Sequence, residues 1–194
     1  MKRQRGHTMI ELMVSLGVLA LIMSAAGPLL IDNARVNKSK QMAMAAQMEA
    51  RNAMTMITNQ IRSAGWDPRK IGFARLGLDP DPNGTDNYIQ IFGDFNADND
   101  LLDAGESITV RHNVNVIEWR TVADPNVPFV TIANNVTNDE DGNGTTEHMF
   151  TPNSIVNPSR VTVKITTRSA EPDPITRNFY RYTLSSDVIL RDNL

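Results

Sequence analysis

Oxygen-bearing side chains crowd one stretch of the chain at alternate positions: Asp94, Asn96, Asp98 and Asp100, followed by Asp103 and Glu106. This spacing suits a hard cation such as calcium, which is held by several carboxylate, carboxamide and carbonyl oxygens. Counting from Asp94, Gly105 occupies the position at which a bidentate Glu would close a calcium loop, and Glu106 comes one residue late. Asn99 stands where such loops carry Gly, and Asn tolerates the left-handed turn required there. A second stretch, Asp139, Asp141, Asn143 and Gly144 with Glu147 behind it, repeats the alternation without a closing Glu. The competing reading of both stretches is a solvated turn, because Asp and Asn cap their own backbone N–H groups. Asp94, Asn96, Asp98, Asp100 and Glu106 are therefore candidate calcium ligands, with solvated turns as the alternative.

Other chemistries find less support. The chain has no cysteine, which excludes disulfides, thiolate metal sites and cysteine nucleophiles. Its three histidines, His7, His112 and His148, are scattered, so a multi-histidine zinc site is not expected. Phosphate-binding glycine loops, nucleophile elbows and histidine–carboxylate pairs at metal-hydrolase spacing are missing, and the chain is expected not to be an enzyme. A pair of carboxylates assembled only by folding would be the exception. Formal net charge is −3, and Lys2, Arg3 and Arg5 supply part of the 19 basic residues, so the body of the chain is more acidic still. Such a body offers no general attraction for nucleic acid.

One carboxylate stands apart. From His7 to Ile31 the only formal charge is Glu11, and that stretch exceeds the roughly 20 apolar residues that cross a bilayer as a helix. The basic residues precede it and Asp32 follows it, which places the N-terminus in the cytoplasm and the remainder outside. A cleavable secretory signal ending near Ser24-Ala25-Ala26 would account for the apolar run. A carboxylate is unhelpful there, however, and the helical pattern continues beyond Ala26. A plain signal anchor would leave Glu11 incidental, yet a lone carboxylate deep in a membrane helix costs on the order of 2.5–3.5 kcal/mol.

A third reading accounts for Gly6 and Glu11 together. The run Gly6-His7-Thr8-Met9-Ile10-Glu11-Leu12-Met13-Val14 resembles the class III signal of type IV prepilins and type II secretion pseudopilins. In those families a short basic leader ends in Gly, and Glu is the fifth residue of the apolar helix that follows. The resemblance implies cleavage between Gly6 and His7 by a membrane prepilin peptidase, then N-methylation at His7. The usual first mature residue is Phe, and His7 replaces it here. Pro28 matches a helix-loosening Pro at the corresponding depth of many pilins. It further implies assembly into a filament, in which Glu11 of an entering subunit pairs with the His7 amine of its neighbour. That pairing would offset the burial of both charges and set the axial register. Snorkelling of Glu11 to the interface is the alternative, and both can hold at different stages.

Several elements must position these groups. Ala43, Ala46, Ala50, Ala53, Ile57, Ile61 and Ala64 recur at spacings of three and four, an apolar stripe continuing the helix beyond the membrane. Gly65 and Pro68 then stop it, so one helix is predicted from about Thr8 to Ala64. The methionines between Met42 and Met56 read as packing residues rather than ligands. Strands are predicted around Ile89 and Ile91, Ile108 and Val110, and Val114, Val116 and Trp119. Val127–Ile132, Arg160–Thr166, Asn178–Leu184 and Val188–Leu190 follow, separated by turn-forming residues. The fold class is α+β: a long N-terminal helix, membrane-spanning in its first half, packed by its second half against a mainly antiparallel sheet, as in pilins. The expected divisions are a leader at 1–6, a membrane and filament-core helix at 7–31, a helical stem at 32–65 and an exported β-rich domain at 66–194.

Two further segments refine the resemblance. Gln60-Ile61-Arg62-Ser63-Ala64-Gly65-Trp66-Asp67-Pro68 is similar to the stem end of PilW-like minor pilins. Ser185-Ser186-Asp187-Val188-Ile189-Leu190-Arg191 is similar to the C-terminal end of that group and of J-type pseudopilins. The function implied is that of a minor pilin that starts or caps a type IV pilus. The alternatives are a type II secretion pseudopilin and, from another class, a membrane-anchored exported domain that binds its ligand through calcium. The partners implied are prepilin peptidase, other pilins and the inner-membrane assembly platform. The location implied is a single pass through the inner membrane with the domain in the periplasm, then the pilus surface.

Overall fold

A computed structural model describes residues 8–70, 72–78, 88–124, 126–154 and 158–190. Helix α1 (Met9–Ser63) has 55 residues, a length of about 82 Å at 1.5 Å per residue. It runs through Pro28 without a break in the helical assignment. Its side chains from Met9 to Ala25 are all exposed, Leu12, Val14, Leu16 and Leu21 among them, so nothing among the described residues covers this half. The helix is long and apolar enough to cross a membrane, and none of its most apolar stretch is buried.

The second half behaves differently. Ala46, Ala50, Ala53, Ile57, Ile61 and Ala64 are buried, as the stripe predicts, and Ala43 is half-buried. Met54 and Thr58 complete the buried face. Met44 and Met48 remain exposed, so the methionines do not share one packing role. The helix ends where Ala64 N–H donates to the Ile61 carbonyl and Gly65 turns to φ +78°. A Cβ on Gly65 would stand 2.7 Å from Cγ of Arg75, so this stop requires glycine for its backbone and for its space.

Two antiparallel sheets pack on that face, where one was expected. The first joins β1 (Leu76–Leu78), β2 (Tyr88–Phe92), β3 (Ser107–Asn113), β4 (Val116–Arg120) and β5 (Val130–Ala133) in chain order. The second joins β6 (Phe150–Pro152), β7 (Arg160–Arg168) and β8 (Arg181–Ile189). Among the described residues an isolated bridge joins Val136, just beyond β5, to Thr167 of β7. Helix α1 lies against β5, β7 and β8. The core gathers Ile57 and Ile61 from the helix, Ile89, Ile91, Val110 and Ile117 from the first sheet, and Val161, Val163, Ile165 and Val188 from the second. This is the α+β arrangement expected of a pilin-like chain.

Local differences have local causes. Strands β1 and β6 have three residues each, too short to show alternation, and β6 ends on Pro152 at a sheet edge, where a missing donor is tolerated. Asn178–Leu184 and Val188–Leu190 are largely one strand, because Ser185, Ser186 and Asp187 pair with Lys164, Val163 and Thr162 without interruption. Val114 belongs to the β3–β4 turn, exposed and at φ +56°, a conformation unusual for a β-branched residue. Thr167, buried in β7, donates from Oγ1 to the Ala46 carbonyl at 2.8 Å and so ties the second sheet to the stem.

The packing yields a direct expectation. Ile57→Ala should lower unfolding stability by about 2–5 kcal/mol, since the emptied space lies between helix and sheets. Met48→Ala, on the exposed face, should stay within about 0.5 kcal/mol of the parent. Denaturant unfolding of the detergent-solubilised chain measures both, and equal losses would contradict this assignment of helix faces.

Candidate functional site

Two places bring polar chemistry into fixed geometry: the first turn of α1 and the acidic loop between β2 and β3. In the first turn, Thr8 N–H donates to Oε2 of Glu11 at 3.0 Å, and Glu11 N–H donates to Oγ1 of Thr8 at 3.3 Å. This reciprocal pair is a capping box, which satisfies two donors that the helix start leaves over. Thr8-x-x-Glu11 ahead of an apolar run is its sequence signature, so Glu11 has a local role beside the intermolecular and interfacial ones expected of it. The carboxylate also sits at the positive end of the helix dipole. Gly6 and His7 lie outside the described residues. Pro28 is an exposed residue within the continuous helix.

The acidic loop is pinned at both ends. Asp94 N–H donates to the Trp66 carbonyl just beyond α1, at 2.8 Å, and Gly93 N–H donates to the Glu106 carbonyl at 3.0 Å. Between these points the backbone takes positive φ at Ala97, Asn99 and Gly105. Gly105 N–H reaches the Thr121 carbonyl at 2.7 Å, and its turn delivers Glu106 into the loop although Glu106 is one residue late in sequence.

The candidate ligands divide. One carboxylate oxygen each from Asp94, Asp98 and Glu106 lies within 4.8 Å of the other two. Asp94 is buried and accepts from the N–H groups of Ala97 at 2.6 Å and Asn99 at 3.3 Å. Glu106, 2% exposed, accepts through Oε1 from Phe95 N–H at 3.0 Å and Asn96 N–H at 3.3 Å, while its buried Oε2 has no hydrogen-bond partner. The Asp100 N–H, donating at 3.0 Å, and the Asn96 carboxamide hold the Asp98 carboxyl below the usual carboxylate range. Asn96 donates to Asp98 at 2.9 Å and to Asp103 at 2.6 Å, bracing two acids. Asp100 is not brought into the cluster: it accepts from Leu102 N–H at 2.8 Å, as a self-capping turn residue does.

The second loop uses a similar turn differently. Asp139 accepts from Gly142 N–H at 2.7 Å and Gly144 N–H at 3.1 Å, and an Arg181 guanidinium nitrogen stands 3.9 Å from it. Burial would raise the Asp139 carboxyl, but those N–H groups and Arg181 outweigh it and lower it. Lys164 bridges Glu140 and Glu147, and those hydrogen bonds raise its ammonium above the ordinary lysine value. In the second loop, Asp139, Glu140 and Glu147 thus each have a cation of the protein's own beside them.

Residues 1–27 match the family model described as the prokaryotic N-terminal methylation motif. Comparisons with curated proteins and with solved structures return no match. The matched segment contains Gly6, His7 and Glu11 and runs into the exposed apolar helix that is long enough to anchor the chain in a membrane. The chain therefore carries, over residues 1–27, the N-terminal methylation motif, the class III signal of the kind found in type IV pilins.

Proposed function

We propose that this protein is a minor pilin, a structural subunit that helps start or cap a type IV pilus. The observation carrying this reading is the half-helix from Met9 to Ala25, apolar, uncovered by the other described residues and lying within the methylation motif. A surface of that kind needs lipid before assembly and neighbouring helices after it. Prepilin peptidase cuts between Gly6 and His7 and methylates the new amine. The basic leader lies in the cytoplasm, and the domain beyond Ile31 lies in the periplasm until the assembly platform lifts the subunit into the filament.

Glu11 then has successive partners. In the free subunit it caps its own helix through Thr8. In the filament it meets the His7 amine of a neighbour, and the pair removes two costs of burial at once. Deletion of the gene tests the role: loss of surface pili, restored by the parental chain, is the expected result. Intact pili with exoproteins trapped in the periplasm would overturn it and assign the chain to a type II secretion pseudopilus.

A further inference from the structure

We propose that the β2–β3 loop is a calcium site built from Asp94, Asp98 and Glu106, and that the ion fixes the end of the stem helix to the first sheet. The inference does not depend on the minor-pilin reading. Three carboxylates converge within 4.8 Å, and among the described residues no Lys or Arg forms an ion pair with any of them. Mutual repulsion at that distance opposes the fold unless a positive charge enters.

The second observation is Glu106 itself. It is almost wholly buried, its Oε1 is held by two loop N–H groups, and its Oε2 is left without a partner. A buried carboxylate oxygen in that condition carries the full cost of its lost hydration. The second loop shows how the chain meets a similar need with side chains, since Arg181 and Lys164 supply the charge there. Among the described residues no such side chain pairs with the three acids of the first loop, and a divalent cation does the same work.

Ligand chemistry selects the ion. All three groups offer oxygen, which excludes metals that favour thiolate or imidazole. Asp94 accepts N–H groups through both its oxygens and Glu106 through Oε1 alone, and Asn96 bridges Asp98 and Asp103. An irregular cluster of this sort suits calcium, which accepts variable oxygen geometry, better than magnesium, which demands a regular octahedron. The site lies where Asp94 N–H meets the Trp66 carbonyl and Gly65 N–H meets the Phe92 carbonyl at 2.8 Å, so an ion there braces the last turn of α1.

The test is thermal unfolding of the full chain in detergent, with calcium chloride or with EGTA. At about one hundred times Kd, calcium should raise Tm by about 5–10 °C. Asp98→Asn should weaken calcium binding at least tenfold by titration calorimetry. Glu106→Gln should abolish the shift, while melting in EGTA no lower than the parent because it removes the unpartnered buried charge. Asp141→Asn, in the second loop, should keep the parental response. Equal Tm for the parent in calcium and in EGTA, an undiminished shift in both first-loop variants, or an equal response to magnesium would overturn the proposal.

Discussion

Glu11→Ala is expected to reach the membrane and be cut after Gly6 at parental levels, yet to be recovered in sheared filaments at a small fraction of the parental yield. Insertion improves slightly, because a carboxylate costing on the order of 2.5–3.5 kcal/mol has left the apolar helix. Assembly suffers, because the neighbour's His7 amine is then buried alone, and breaking such a pair costs about 3–5 kcal/mol. The capping box complicates a single substitution, since Ala also removes the bond from Thr8 N–H. Loss of a cap costs only about 1 kcal/mol, too little to explain an assembly defect of that size. Glu11→Gln separates the two roles. Glutamine serves at this position of a capping box as well as glutamate does, but it cannot neutralise an amine. Under charge pairing the Gln variant fails like the Ala variant. Normal filament yield from Gln, at equal membrane levels, would reduce Glu11 to a capping residue.

Gly6→Val is expected to leave the leader attached and to abolish assembly. The mature parental protein should begin at His7 by mass spectrometry, carrying an N-methyl group, whereas the variant should begin at or near Met1. The physical reason extends beyond the peptidase. An uncut leader keeps Lys2, Arg3 and Arg5 beside the apolar helix, and each cation drawn into a hydrocarbon-like interior costs on the order of 2.5–3.5 kcal/mol. It also leaves no amine at His7 for Glu11 to meet. Filaments containing the uncut chain would contradict this account, and a mature terminus at Gly27 would establish an ordinary secretory signal instead.

Much of the architecture was legible because it rests on short-range rules. The alanine and isoleucine stripe, Thr8 at one end and Gly65 at the other define α1 nearly to the residue, since period and caps are local properties. The longer strands were legible where apolar residues alternate, as at Ile89 and Ile91 or Ile108 and Val110. What escaped depends on tertiary pairing. β8 crosses Ser185-Ser186-Asp187 because Thr162 Oγ1 donates to Asp187 at 2.6 Å across the sheet, which no local pattern reveals. The acidic loop shows both limits. Alternation marked Asp94 and Asp98, but only the Gly105 turn explains why Glu106 joins them and Asp100 does not.

The β7–β8 connection grips the helix far down its length. Lys38 Nζ donates to Oε2 of Glu171 at 2.8 Å, which lowers the Glu171 carboxyl, and Ser39 donates to Asp173. Lys38 lies seven residues beyond Ile31, a rise of about 10 Å along the helix, little more than the thickness of one headgroup layer. For a subunit anchored through the first half of α1, the folded body is therefore seated directly on the bilayer surface with no flexible tether beneath it. Any rotation of the helix about its axis turns the whole body with it, like a key in its barrel. In the proposed filament, the azimuth at which a subunit meets its neighbours would thus be decided while it is still in the lipid.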